Sequence, residues 1–467
     1  MPTTFIKKSL AAIHHAKDFN QAIQMSRFLG EILWKNSTGQ YELMSLENAL
    51  VEKYASQFDT ELDTSDQYPF LHILTKAYGT GGHTRIVERL IHSDALRASA
   101  VLVTEAIDPH ALKKLSTAKH GCTKIAKQPD SKKKIQAIIF ELAKCRTVVL
   151  HLHPHDIESV IAVAIAKKHF GIHVLMYNHA DHVFSYGHGV ADRVLEISYF
   201  GWALRNKRLT QNKSLFTGIP LTLPSLVTEP QLRTDHGYLA AAGSAYKFKP
   251  GQGYSFPDFV SRLIKKIDIP FILVGAKPLR SWWWWPIFAR EKLKTKPRVQ
   301  FAPQMPHEKY IQYLGNATAY IDSFPMTGGT AFPEILSLGV PCFGVLTGAH
   351  GYTPADQLKS VDIKHLSHDL RHFLKTRERP DINLDKIIEQ VYEAHDTEKV
   401  AKRVSTAMNT DAIDMPPMWV NPAVIDTRFY EKIWREQKIF TFPIHTLPNI
   451  RLLIFFIAEW RNRNRLA

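Results

Sequence analysis

The densest run of chemically useful residues is Asp322-Ser-Phe-Pro-Met-Thr-Gly-Gly-Thr330. It follows the apolar run Ala319-Tyr-Ile321 and leads into a helical stretch. A strand that passes through such a turn into a helix leaves the first helical amides without internal partners. Glycine lets another group approach the backbone closely. The amides of Gly328, Gly329 and Thr330, the hydroxyls of Thr327 and Thr330 and the helix dipole therefore suit an anion such as a diphosphate. Glu334 falls one turn inside the helix, where a carboxylate can accept from two ribose hydroxyls. The plainer reading is a capped helix behind a strand.

Four other groups carry chemistry. Ser244-Ala-Tyr-Lys-Phe-Lys249 follows the apolar run Tyr238 to Ala242, and Lys247 or Lys249 can neutralise charge growing on a departing anion. Solvated loop lysines are the plain alternative. Ala77-Tyr-Gly-Thr-Gly-Gly-His83 joins an apolar run to a helix. It lacks the Lys-Ser/Thr ending of a phosphate-binding loop and the glycine spacing of a dinucleotide fingerprint. His83 is a candidate general base, since an imidazole ionises near neutrality, and Gly81 and Gly82 would border the bound molecule. Tyr177-Asn-His-Ala-Asp-His182 ends another apolar run, and ligands in open α/β sheets bind at strand C-terminal ends. His179 and His182 can reach an acceptor there, with Asp181 as the second candidate base; a self-bonded turn explains the same residues.

The fourth group, His151-Leu-His-Pro-His-Asp156, raises a rival chemistry, that of a metal-dependent hydrolase. Two imidazoles and a carboxylate can hold one ion. Pro154 and the third histidine depart from the His-x-His-x-Asp-His order, and His179 with Asp181 would have to complete the site.

The patterning around these groups predicts an α/β protein. Residues 1–66 read as a helical leader that ends in an acidic turn. From Tyr68 short apolar runs alternate with helical stretches, the mark of βαβ units and a parallel sheet. One Rossmann-like domain spans 67–222, a Pro/Ser/Thr-rich linker lies around Pro220 to Pro230, a second Rossmann-like domain spans 231–383, and 384–467 is mainly helical.

Residues 320–341 resemble the donor motif of GT-B glycosyltransferases, particularly the group of O-GlcNAc transferase and the bacterial cytoplasmic N-glycosyltransferases. There an Asp-x-x-Pro stretch, a Gly/Thr turn and a helix ending in Leu-x-x-Gly-x-Pro recur in this order. The resemblance implies a GT-B architecture, two Rossmann-like domains facing a cleft. It implies inverting, metal-independent transfer from a nucleotide sugar, a UDP-sugar first among donors, to an acceptor hydroxyl, with no further cofactor. Ser244, Lys247, Lys249, Thr327, Gly328, Gly329, Thr330 and Glu334 would then bind the donor, and the loop Gly348 to Gln357 would offer Asp356 and Gln357 to the sugar. Gly81, Gly82, His179 and His182 would face the acceptor. A glycan-binding protein of the same fold without turnover is the non-enzymatic reading.

The bulk properties narrow the partners. Lys and Arg number 59 against 44 Asp and Glu, a net charge of +15, which draws phosphates, anionic lipids or nucleic acid. No nucleic-acid module is recognisable, so nucleic acid is not expected as a partner. Cys122, Cys145 and Cys342 form no CxxC pair, which suggests neither a disulfide framework nor a thiolate zinc site. No secretion signal is recognisable, and a cytoplasmic location is expected. The apolar run Leu452 to Ala458, flanked by Arg451, Arg461, Arg463 and Arg465, is too short to span a bilayer. It suits an anionic membrane interface, or packing against the first domain. A peripheral position on the inner membrane face and an envelope glycan or glycolipid acceptor follow as expectations, with a protein acceptor also open. Trp282 to Trp285 would pack between helices or meet lipid or sugar.

Overall fold

The computed structural model describes residues 3–64, 67–79, 82–223, 237–378, 383–409, 419, 424–437 and 441–443. Among these residues twelve strands form two sheets, parallel throughout. The first holds β1 (Tyr68–Ala77), β2 (Ser99–Ile107), β3 (Cys122–Lys124), β4 (Cys145–His151), β5 (His173–Asn178), β6 (Arg193–Glu196) and β7 (Ser214–Phe216), in the order β3-β2-β1-β4-β5-β6-β7. The second holds β8 (Leu239–Ala242), β9 (Phe271–Val274), β10 (Val299–Ala302), β11 (Ala319–Ile321) and β12 (Cys342–Phe343), in the order β10-β9-β8-β11-β12. Their central strands are continuous apolar runs because helices cover both sheet faces.

In each sheet the strand order reverses at one place, between β1 and β4 and between β8 and β11. Those switch points open a crevice at the strand C-terminal ends. The chain leaves β1 toward His83, β4 at His151, β5 toward His179, β8 toward Ser244 and β11 at Asp322, so each sequence motif sits at such an end.

The leader forms helices Thr3–His14, Phe19–Lys35 and Met44–Tyr54. Asp18 caps the second, accepting from the Gln21 amide at 2.9 Å, and its buried face, Phe28, Leu29, Ile32 and Leu33, joins the core of the first sheet. The helix Ile157–Phe170 is apolar nearly all round and lies within that core. Asp156 caps it, and Gly171 ends it in the left-handed region at φ +66°, which glycine enters without strain.

Beyond the second sheet the chain returns to the first. The helix Thr397–Thr406 lays Val400, Ala401 and Val404 against Leu90, Leu195 and Leu215. The helix Phe429–Glu436 packs Phe429, Tyr430 and Ile433 among Tyr41 of the leader, Phe200 of the first domain and Met326 and Tyr352 of the second. The linker expected around Pro220 to Pro230 lies outside the described residues from 224 to 236, and so does the basic-apolar segment around Leu452 to Ala458. Among the described residues no helix is long and apolar enough to cross a membrane.

Candidate functional site

A cleft of about 1820 Å³ separates the two domains. The first domain lines it with Gly79, Arg85, Arg89 and Lys114, and the second with Ser244, Lys247, Lys277, Arg280, Gly328, Thr330 and Glu334.

The turn after β11 is organised by Asp322, buried at the strand end. Its carboxylate accepts from the Ser323 amide at 2.9 Å, the Thr327 hydroxyl at 2.5 Å and the Gly328 amide at 3.1 Å. Lys359 closes the arrangement, with its ammonium 2.7 Å from Asp322 and 2.6 Å from Asp356; it also donates to the Thr327 hydroxyl. Burial pulls the Lys359 ammonium down, but Asp322 and Asp356 outweigh it and hold the group above its ordinary range. A β-carbon on residue 328 would sit 2.7 Å from the Asp322 carboxylate, so glycine is required there by the turn itself.

This geometry divides the expected anion ligands. The Gly328 amide and the Thr327 hydroxyl are engaged inside the protein, contrary to the sequence expectation. Among the described residues the amides of Gly329 and Thr330 and the Thr330 hydroxyl have no hydrogen-bond partner, and Thr330 lines the cleft. Glu334 also lines it, yet neither oxygen is free for a ribose. Oε1 meets Arg89 at 2.9 Å and Oε2 meets His307 at 3.4 Å. Burial raises the Glu334 carboxyl, while His307 and Arg89 prevail and hold it below its ordinary range. Because Arg89 belongs to the helix Gly82–His92 of the first domain, this ion pair spans the cleft.

Ser244 is exposed at the cleft, and Lys247 donates to the Thr327 carbonyl at 3.2 Å. Burial lowers the Lys247 ammonium, with Asp322 opposing. Lys249 does not join it: its ammonium lies 5.8 Å from the Trp283 ring centre, outside the cleft lining. Gln357 also departs from expectation. Within the 3-10 turn Pro354–Leu358 it is exposed, and its amide donates to Pro354 and to Gln390. Asp356 next to it is buried, bound to Lys359 and to the amides of Gly351 and Tyr352, so it offers no free group to a sugar, and Gln357 lies outside the cleft lining.

The sequence reading gave no role to Arg85, Arg89, Lys277, Arg280 or Lys359. Among the described residues Arg85, Lys277 and Arg280 make no side-chain hydrogen bond or ion pair, and the Arg85 Nε is buried. The legible signal was the spacing of Arg85 and Arg89, which puts both on one face of the helix behind the glycine-rich loop.

Across the first sheet the histidines form a file. His72 Nδ1 lies 3.0 Å from His151 Nε2, and His151 Nδ1 lies 2.8 Å from His179 Nε2. His179 stacks on His83 with ring centres 4.0 Å apart, and His153 meets His83 edge-on at 5.5 Å. Burial pulls His72 and His83 down to about 3, and His151 and His179 well below the ordinary range. His83 is therefore held neutral, with its ionisation far below neutrality and not near it. Its Nδ1 is enclosed without a partner.

Asp181 is buried; it accepts from Ser198 at 2.5 Å and pairs with His182 at 3.1 Å, which leaves it poorly placed as a base. His182 turns its ring toward Tyr430, at 4.5 Å. Gly82 begins its helix in open space, and Gly81 lies outside the described residues. The metal reading is not supported: among the described residues no three His, Cys, Asp or Glu converge on a possible ion. Asp156 caps its helix and accepts from Thr75 at 2.6 Å, while His155 stacks on Trp34 at 5.3 Å.

No protein-family model and no curated protein matches the sequence. Solved structures do match. A lipopolysaccharide outer core galactosyltransferase, WaaB, superposes with a TM-score of 0.50 at 15% identity over 73% of this chain and 100% of its own. A mutant O-GlcNAc transferase from Thermobaculum terrenum gives 0.52 at 11% identity over 86% of this chain and 80% of its own. HepE from Anabaena, in complex with UDP and glucose, gives 0.52 at 12% over 74% and 100%. The likeness is one of fold, and the fold of this chain is GT-B.

Proposed function

We infer that this GT-B chain is a glycosyltransferase that moves a sugar from a nucleotide diphosphate to an acceptor hydroxyl. One observation carries the reading: Arg85, Lys247, Lys277 and Arg280, none paired with a carboxylate, line one cleft from both domains beside the free Thr330 amide. Clustered cations and amides suit a pyrophosphate.

The acceptor oxygen attacks the anomeric carbon from the face opposite the diphosphate. The carbon–oxygen bond to phosphate breaks and its electron pair goes to the phosphate oxygen, where Lys247, Arg85 and the free amides meet the charge. The acceptor proton passes to His83, whose ionisation burial lowers in the free protein, so it holds that proton only against the negative charge that develops on the departing diphosphate. The configuration inverts, and the cations of the chain do the work otherwise given to a divalent ion.

UDP bound to HepE makes UDP-sugars the first donors to try, and the outer core galactosyltransferase makes an envelope glycan or glycolipid the first acceptor. We place the reaction at the cytoplasmic side. Calorimetry against UDP-, GDP- and CDP-sugars tests the reading, together with assays of transfer and of donor hydrolysis. One donor class should bind, and His83→Ala should lower transfer by about 10²–10⁴-fold with donor affinity unchanged. Absence of binding by any nucleotide sugar would refute the assignment; binding without turnover would instead favour a glycan-binding protein.

A further inference from the structure

Four of the eleven large apolar side chains exposed among the described residues fall in one short stretch: Leu279, Trp282, Trp285 and Leu293. Trp282 and Trp285 are 63% and 56% exposed, in contrast to Trp284, which is buried in the core of the second domain. The 3-10 turns Pro278–Arg280 and Trp282–Trp284 and the helix Trp285–Lys292 carry the stretch. The exposed positions Trp282, Trp285, Pro286, Ala289 and Leu293 recur every three or four residues, so helical turns gather them on one outward face.

Charge surrounds this face. Residues 277–298 hold seven Lys and Arg against one carboxylate, Glu291, which is buried and already paired with Arg290 and Lys294. Among the described residues Lys277, Arg280, Lys292 and Lys296 have no ion pair. Indole rings beside unpaired cations match the interface of a bilayer with anionic headgroups, where rings sit at headgroup level and ammonium groups meet lipid phosphates. The face also adjoins the cleft, since Lys277, Arg280, Ser281 and Trp283 line its wall.

We propose that this tryptophan-bearing face of the second domain docks the protein on an anionic membrane surface, with the cleft mouth held beside the headgroups. The docking stands on the surface alone and does not depend on the transferase reading. It would bring a lipid-linked acceptor within reach of the cleft.

Co-sedimentation of the full chain with vesicles of phosphatidylglycerol and phosphatidylcholine, or of phosphatidylcholine alone, tests it. Binding should require phosphatidylglycerol and weaken with salt. The double variant Trp282→Ala/Trp285→Ala should bind at least about tenfold more weakly, and Lys292→Glu/Lys296→Glu should lose the preference for anionic lipid, both with unchanged melting temperature. Wild-type strength in both variants would overturn the proposal, most directly if deletion of residues 444–467 abolished binding. A lipid-free dimer that the tryptophan variant dissociates would overturn it too, since the face would then join two copies.

Discussion

Behind the residues that line the cleft, each domain backs its wall with buried polar groups, and the two do so in opposite ways. On the second domain, carboxylates and ammonium groups pair at close range: Asp322, Asp356 and Lys359 are all buried, and their charges survive because they face one another. On the first domain His72, His151, His179 and His83 bond and stack with one another, and burial keeps them uncharged. A low-dielectric wall tolerates either a matched set of charges or no charge. The first arrangement fixes the turn after β11; the second holds its imidazoles neutral.

The charged wall breaks first. Lys359→Met leaves Asp322 and Asp356 buried without a cation, and removing one partner of a buried pair costs about 3–5 kcal/mol. Urea unfolding followed at β11 and β12 should show that loss. Adding Asp322→Asn to the variant should restore part of it, because one of the two stranded charges is gone. A loss below about 1 kcal/mol in the single variant would mean that water reaches the trio and that the turn is not held by charge.

The neutral wall breaks with acid. His72 ionises at about 3 in the fold and at an ordinary 6.5 when unfolded, so between those values the unfolded chain binds more protons. Stability of the first domain therefore falls as pH drops from about 6.5 toward 3, by up to about 1.4 kcal/mol per pH unit for each such histidine. Asp156 is held at about 2, with burial opposed by Lys134 and the Thr75 hydroxyl, so its stabilisation is complete above about pH 4, adds no slope there, and is lost only as pH falls from about 4 toward 2. Hydrogen exchange at β4 measures this slope, and His72→Gln should flatten it whatever the variant's absolute stability. An unchanged slope would place the acid sensitivity elsewhere.

The same contrast governs what the sequence could reveal. The central strands were legible because both faces of each sheet are covered, which forces runs such as Phe271 to Val274 to be wholly apolar. β6 and β7 were not, since they span four and three residues inside a polar stretch. The turn at 322–330 stood out by composition, but its main partner did not: Lys359 lies in a stretch that reads as surface, and only the fold brings it to Asp322. The histidines misled in another way. Their spacing permits a metal site, yet the rings face one another in a file, and Asp156 turns to its own helix. Residues that bond across the fold leave no local trace.

The smallest effect tests the edge of the charged wall. Position along the chain suggests that Asp356 and Gln357 act together, but the turn Pro354–Leu358 sends one inward to Lys359 and the other out to Gln390. An exposed glutamine whose amide binds a neighbouring helix contributes little, so Gln357→Ala should change stability and donor affinity by less than about 0.5 kcal/mol. Asp356→Asn, one residue away, should be far more damaging, because it removes a charge that Lys359 faces. Calorimetry of both variants with the same nucleotide sugar separates the cases. If Gln357→Ala weakened the donor tenfold, the turn would have to rotate when the cleft closes, and the charged wall would be a moving part whose pairs are remade around the ligand.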